Sequence, residues 1–127
     1  MPGTWISVMT VLGHILIGAV FVRGGIMHFL SFSETAQGVA ARGVPLPRCV
    51  LAIGSVFQII FGALLIVGMA VTISACALLV FTVIASWMLL NFWDKKGAER
   101  EAAKTNMESN VAIVGGLLLV AVQAWPT

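Results

Sequence analysis

Apolar and basic residues are segregated along this chain: four apolar stretches, residues 12–30, 50–69, 71–92 and 111–125, alternate with connectors, and six of the seven basic side chains lie in only two of those connectors. Each stretch comes near the ~20 residues a helix needs to cross ~30 Å of hydrocarbon. Apolar residues make up 60% of the chain and charged residues 9%, against about 45–50% and about 25% in soluble domains. The expected fold is therefore an all-α membrane protein, a four-transmembrane-helix antiparallel bundle. Its single domain fills residues 1–127, with spans at about 5–30, 49–69, 71–93 and 108–125, and no residues remain for a soluble domain or a nucleic-acid-binding module. The first stretch reads as a retained span rather than a secretory signal. Residues 1–5 hold no Lys or Arg, and the apolar run that follows exceeds the ~7–15 residues of a signal core.

The connectors set the expected orientation. Arg42 and Arg48 lie in the first connector and Lys95, Lys96, Arg100 and Lys104 in the third, while the opposite side has no basic residue. The positive-inside rule then puts both termini on the non-cytoplasmic side of a bacterial inner membrane. Trp5 and Trp125 would mark the outer interface and Trp93 the inner one. In the first connector the prolines of Gly-Val-Pro-Leu-Pro force an extended turn, so the second span starts after Pro47; residues 34–42 are compatible with a short helix along the interface. Gly68 and Met69 allow only a tight hairpin into the third span. Residues 94–107 read as a solvated loop, because Lys96–Arg100 and Arg100–Lys104 would repel at helical i,i+4 spacing. Gly13, Gly18, Gly24, Gly25, Gly54, Gly62 and Gly116, with Ala112, offer small surfaces through which helices associate in lipid.

Cys49 and Cys76 fall near opposite membrane faces, roughly 20 Å apart at ~1.5 Å per residue, too far for a disulfide. They read as small apolar packing residues, with lipid attachment at Cys49 as the second reading.

Several polar residues stand where a bilayer should exclude them. Arg23 lies about 10 Å from the inner end of the first span, where insertion costs up to about 2.5–3.5 kcal/mol. It either snorkels to headgroups or faces the bundle and binds an acidic or carbonyl group, with Glu108 and Gln58 as the candidates. His14 and His28 are fourteen residues apart on one helix, about 21 Å along its axis, so they cannot clamp a metal. No other span has a histidine, which argues against intrinsic haem. His28, Asn91, Glu108 and Asn110 share the level of the basic connectors, with Ser55 and Gln58 somewhat deeper. Two readings of this layer compete. In one, the groups satisfy one another as interhelical hydrogen bonds. In the other they form a pocket for the head of a lipid-soluble ligand, in which Arg23 and His28 donate to ring carbonyls and Phe29, Phe57, Phe61 and Phe92 provide apolar walls.

The stretches Arg23-Gly24-Gly25-Ile26-Met27-His28-Phe29, Arg42-Gly43-Val44-Pro45-Leu46-Pro47, Phe57-Gln58-Ile59-Ile60-Phe61-Gly62, Asn91-Phe92-Trp93 and Ser109-Asn110-Val111-Ala112-Ile113-Val114-Gly115-Gly116 together resemble the DoxX family of small four-span bacterial membrane proteins. Members of that family often have a glutamate at the place of Gln58 and a lysine at that of Ser109. The first departure removes an intramembrane acid and so weakens any proton-relay role implied by the resemblance. Some relatives are named as subunits of a thiosulfate–quinone oxidoreductase or a terminal quinol oxidase, others as membrane partners of redox and oxidative-stress proteins.

The resemblance thus implies an accessory subunit of a redox or respiratory membrane complex, mainly structural, surrounded by lipid and by other membrane subunits and contributing to a quinone site. Its alternative is a quinone-interacting oxidoreductase subunit. The chain carries no nucleotide loop or cofactor motif of its own, so electron transfer would rest on a partner's cofactors. A third reading, a small-molecule transporter, lacks the discontinuous helices and paired intramembrane acids such proteins use. The candidate ligand-binding residues are Arg23, His28, Gln58, Asn91, Glu108 and Asn110; no catalytic or metal-binding residue is expected.

Overall fold

The computed structural model describes residues 2–89 and 95–126. Among them are five helices: α1 (Pro2–Leu30), α2 (Phe32–Ala41), α3 (Pro47–Val67), α4 (Val71–Leu89) and α5 (Gly97–Gln123). All except α2 are long and apolar enough to cross a membrane. The exposure pattern is that of a protein dissolved in lipid. Leu30, Leu119 and Val122 are each more than 70% exposed, whereas Ser55, Gln58, Thr72, Ser74, Thr82 and Ser86 are buried. A soluble domain hides its large apolar side chains and leaves such polar ones in water; here the order is reversed, and Ser55, Thr72 and Ser86 bond to neighbouring helices, while Ser74 Oγ and Gln58 Oε1 are buried without a partner.

Local chemistry sets the helix ends. Pro47 opens α3 at a first-turn position where its missing N–H costs nothing. At the other end Gly68 adopts φ 76°, and the Met69 N–H bonds back to the Leu64 carbonyl at 2.9 Å. That left-handed cap stops the helix and turns the chain within three residues into α4, the tight hairpin expected from sequence. The short interfacial segment is helical as α2 and buries Ala36 and Val39.

Residues 94–107 depart from the sequence reading. From Gly97 onward they are not a loop but the first turns of α5. Ala98, Glu99, Arg100, Glu101, Ala102, Ala103 and Lys104 are all favourable helix formers, and Glu99 sits in the first turn, where the helix dipole favours an acid. The repulsion of Arg100–Lys104 is offset by Lys104–Glu108, opposite charges at the same i,i+4 spacing, and Lys96, the extended N-cap residue, stands outside the helical spacing. The fourth span is thus the apolar part of a helix that begins well before residue 108.

Around the bundle, α1 packs most closely on α3 and α4 on α5, and the two pairs meet along a sparser α3–α4 seam. Glycine draws the first pair together. A Cβ built on Gly25 would stand 2.8 Å from the Ser55 carbonyl oxygen. Gly18, Phe21, Gly25 and His28, spaced by three and four residues, form the α1 stripe against Ser55, Gln58, Ile59 and Gly62 of α3. Gly116 contributes to the contact of α5 with Ile17, whereas nothing lies within 4 Å of a Cβ on Gly13. Leu65, Leu78 and Leu117, fully buried, close the core between α3, α4 and α5.

Candidate functional site

The sparse α3–α4 seam encloses a cavity of about 720 Å³. It lies between the N-terminal half of α3 and the C-terminal half of α4, the half of the bundle that adjoins the basic connectors. Val39 of α2 and His28 at the end of α1 line it from those neighbouring helices. The α2 helix is held there by aromatic contacts: Phe32 stacks on Phe29 with centroids 6.0 Å apart, and the Arg48 guanidinium lies 4.9 Å from the Phe32 ring centre. Toward mid-membrane Phe57 packs on Phe81 at 5.7 Å. Gly54 makes room for the Phe81 ring, since a Cβ there would stand 3.3 Å from it. The mouth opens sideways, because the lining residues Ile53, Val80 and Ile84 are all more than half exposed.

Three polar side chains with hydrogen-bonding capacity interrupt the apolar lining. His28 Nδ1 is 3.2 Å from Ser55 Oγ, which ties α1 to α3. Gln58 donates from Nε2 to the Phe21 carbonyl at 3.3 Å, a second bond across the same pair of helices. Its other amide atom, Oε1, is buried without a partner.

The six sequence candidates do not converge on one place. His28 and Gln58 meet at this cavity. Arg23 is exposed on another face of α1; two residues from both Phe21 and Gly25, it stands about 200° around the helix from each. Glu108 is also exposed. Asn110 donates to Ser86 Oγ at 2.9 Å across α4 and α5, beside a second hollow of about 470 Å³ lined by Trp87, Met107 and Val114. Asn91, with Phe92 and Trp93, lies outside the described residues. What reads by depth as one polar layer is, among the described residues, two interhelical clusters, one between α1 and α3 and one between α4 and α5, beside hollows that share Ile84 and Met88.

Ser86 went unnoticed in the sequence because a serine in an apolar run usually bonds its own helix, as Thr82 does to the Leu78 carbonyl at 2.7 Å. Thr72 was missed likewise; it donates to Ala121 O of α5 at 3.0 Å. Of the proposed aromatic walls, Phe57 lines the cavity, whereas Phe29 is exposed. Both cysteines are free and exposed rather than packed inside the bundle, and Cys76 is part of the cavity wall.

A sequence model of the family described as DoxX matches residues 9–91. The chain belongs to the DoxX family. No curated protein and no solved structure matches it. The DoxX match takes in most of α1, all of α2 and α3, and α4, so every residue lining the α3–α4 cavity falls inside it. Helix α5, with Glu108, Asn110 and the charged turns before them, lies beyond the matched residues.

Proposed function

We propose that this DoxX protein is an accessory subunit of a redox complex in the bacterial inner membrane, where it shelters a lipid-soluble quinone-type carrier while a partner's cofactors transfer the electrons. The observation that carries this reading is the α3–α4 cavity. Its volume of about 720 Å³ falls in the ~300–1,000 Å³ range of small-molecule sites, which are mostly apolar with a few placed polar groups. The apolar walls suit a ring and the start of an isoprenoid tail. The lateral mouth lets the rest of the tail run among lipid chains, and His28, Ser55 and Gln58 supply hydrogen bonds at the head.

The chain's own role in this reading is to hold and position. None of the lining side chains is arranged as an acid–base pair, and the described residues contain no group of three or more His, Cys, Asp or Glu side chains that could hold a metal ion. With Arg23 and Glu108 exposed and Asn110 bonded to Ser86, the binding residues assigned here narrow to His28, Ser55 and Gln58. The cytoplasmic placement of the basic connectors, and of the cavity beside them, belongs to the same proposal.

Purification of the chain from its native membrane in lipid nanodiscs tests both parts. Co-purifying membrane subunits and extractable quinone are expected, with quinone lost when Ala77→Phe fills the cavity. A lone, quinone-free protein would refute the reading.

A further inference from the structure

The polar end of the cavity is not neutral toward the redox state of its ligand. We infer that the site selects a hydrogen-bond donor: an apolar molecule carrying a hydroxyl group, which among quinone-type carriers is the reduced quinol rather than the oxidised quinone. This inference rests on the cavity being the binding site proposed above and sharpens what that site takes.

The argument turns on Gln58. Only 6% of this residue is exposed. Its Nε2 faces α1, where it donates to the Phe21 carbonyl and where a Cβ on Gly24 would come within 2.9 Å of it. That bond fixes the amide's orientation. Turned over, the amide would set Oε1 against another carbonyl oxygen and lose a hydrogen bond inside the membrane. The atom left over is therefore an acceptor, Oε1, and it has no partner. A buried acceptor without a donor costs about 1–3 kcal/mol, and the surrounding wall consists mostly of Val, Ile, Phe and Ala side chains that cannot supply one.

His28 does not decide the matter. Its Nδ1 is engaged with Ser55, and the ring can offer either a donor or an acceptor depending on the tautomer. Gln58 Oε1 can only accept. Gln58 lines the cavity with this oxygen shielded; because the terminal torsion of a glutamine is soft, a turn presents it to a ligand without moving the helix, at the cost of lengthening the 3.3 Å bond to Phe21. A hydroxyl arriving there gains a bond that a quinone carbonyl, itself an acceptor, can only turn into a repulsion.

The test uses the full chain in nanodiscs of saturated phosphatidylcholine and three probes that share ring and tail: decylubiquinol, decylubiquinone and the dimethyl ether of decylubiquinol. Equilibrium competition should show the quinol binding at least tenfold more tightly than the other two. Gln58→Met, which keeps the volume but removes the acceptor, should abolish that preference by lowering quinol affinity about tenfold.

A second readout is spectroscopic. In protein carrying ¹³C at the side-chain carbonyls of its three glutamines, Gln37, Gln58 and Gln123, infrared difference spectra should show a downshifted band on adding quinol that is absent in Gln58→Met, and none on adding quinone. Equal binding of all three probes, a quinone preference, an unmoved carbonyl band, or a preference that survives in Gln58→Met would each overturn donor selection while leaving the cavity as a binding site. If none of the probes binds, the site itself is lost, and the proposed function with it.

Discussion

Gly18 and Gly62 face each other with backbone against backbone: a Cβ on Gly18 would stand 2.5 Å from the Gly62 carbonyl oxygen, and one on Gly62 would stand 2.8 Å from the Gly18 carbonyl oxygen. Neither obstruction is a side chain that can turn aside. Gly18→Ala or Gly62→Ala should therefore force α1 and α3 apart at a cost of about 1–3 kcal/mol. Gly13→Ala, with nothing within 4 Å of the added carbon, should leave stability unchanged or slightly raised. Unfolding titrations in mixed micelles would separate the two cases, and equal effects at Gly13 and Gly18 would contradict the close approach.

The bond from Asn110 to Ser86 is the corresponding tie between α5 and α4. A double-mutant cycle with Ser86→Ala and Asn110→Ala should give a coupling energy of about 0.6 kcal/mol and no more than about 1.7 kcal/mol, the average and the upper end for interhelical bonds measured in this way. Strict additivity of the two substitutions would show that the bond contributes nothing.

Substitutions at Ala102 probe the helical start of α5. Ala102 is exposed, so replacing it disturbs backbone rather than packing. Ala102→Gly should cost about 1 kcal/mol and Ala102→Pro about 3 kcal/mol, read as a graded loss in thermal unfolding. If both behaved as the parent, this segment would be a loop in the folded protein.

Orientation is open to chemical labelling. In a background of Cys49→Ser and Cys76→Ser, a single cysteine at Thr4 should react with a membrane-impermeant maleimide in spheroplasts, while one at Gly97 should react only after permeabilisation. The reverse pattern would turn the protein over and place the basic connectors outside.

The four spans were legible because hydropathy reports the solvent directly, and the hairpin at Gly68 because a short uncharged connection admits little else. Position along each helix was also readable, since it follows from counting residues. Azimuth was not. His28 and Arg23 share a helix and differ little in height, yet one meets Ser55 and the other points away from that contact, a distinction that needs the partner face to be known. The glycines could have supplied it: the stripe through Gly18, Phe21, Gly25 and His28 excludes Arg23 once Gly18 and Gly25 are recognised as the face against α3. The helical start of α5 was hidden for another reason. The like-charge spacings Lys96–Arg100 and Arg100–Lys104 point to a loop, but Lys104–Glu108 sets opposite charges at the same spacing, and in a segment with alanine at 98, 102 and 103 the intrinsic preference for helix decides.

The cavity's lateral mouth at Ile53, Val80 and Ile84 has a kinetic and thermodynamic consequence. A visitor reaches it by diffusing in two dimensions through the acyl chains, without passing through water. Occupancy then tracks the mole fraction of the compound in the bilayer, so two molecules with the same intrinsic fit but different oil–water partition coefficients will display different apparent affinities when dosed from solution.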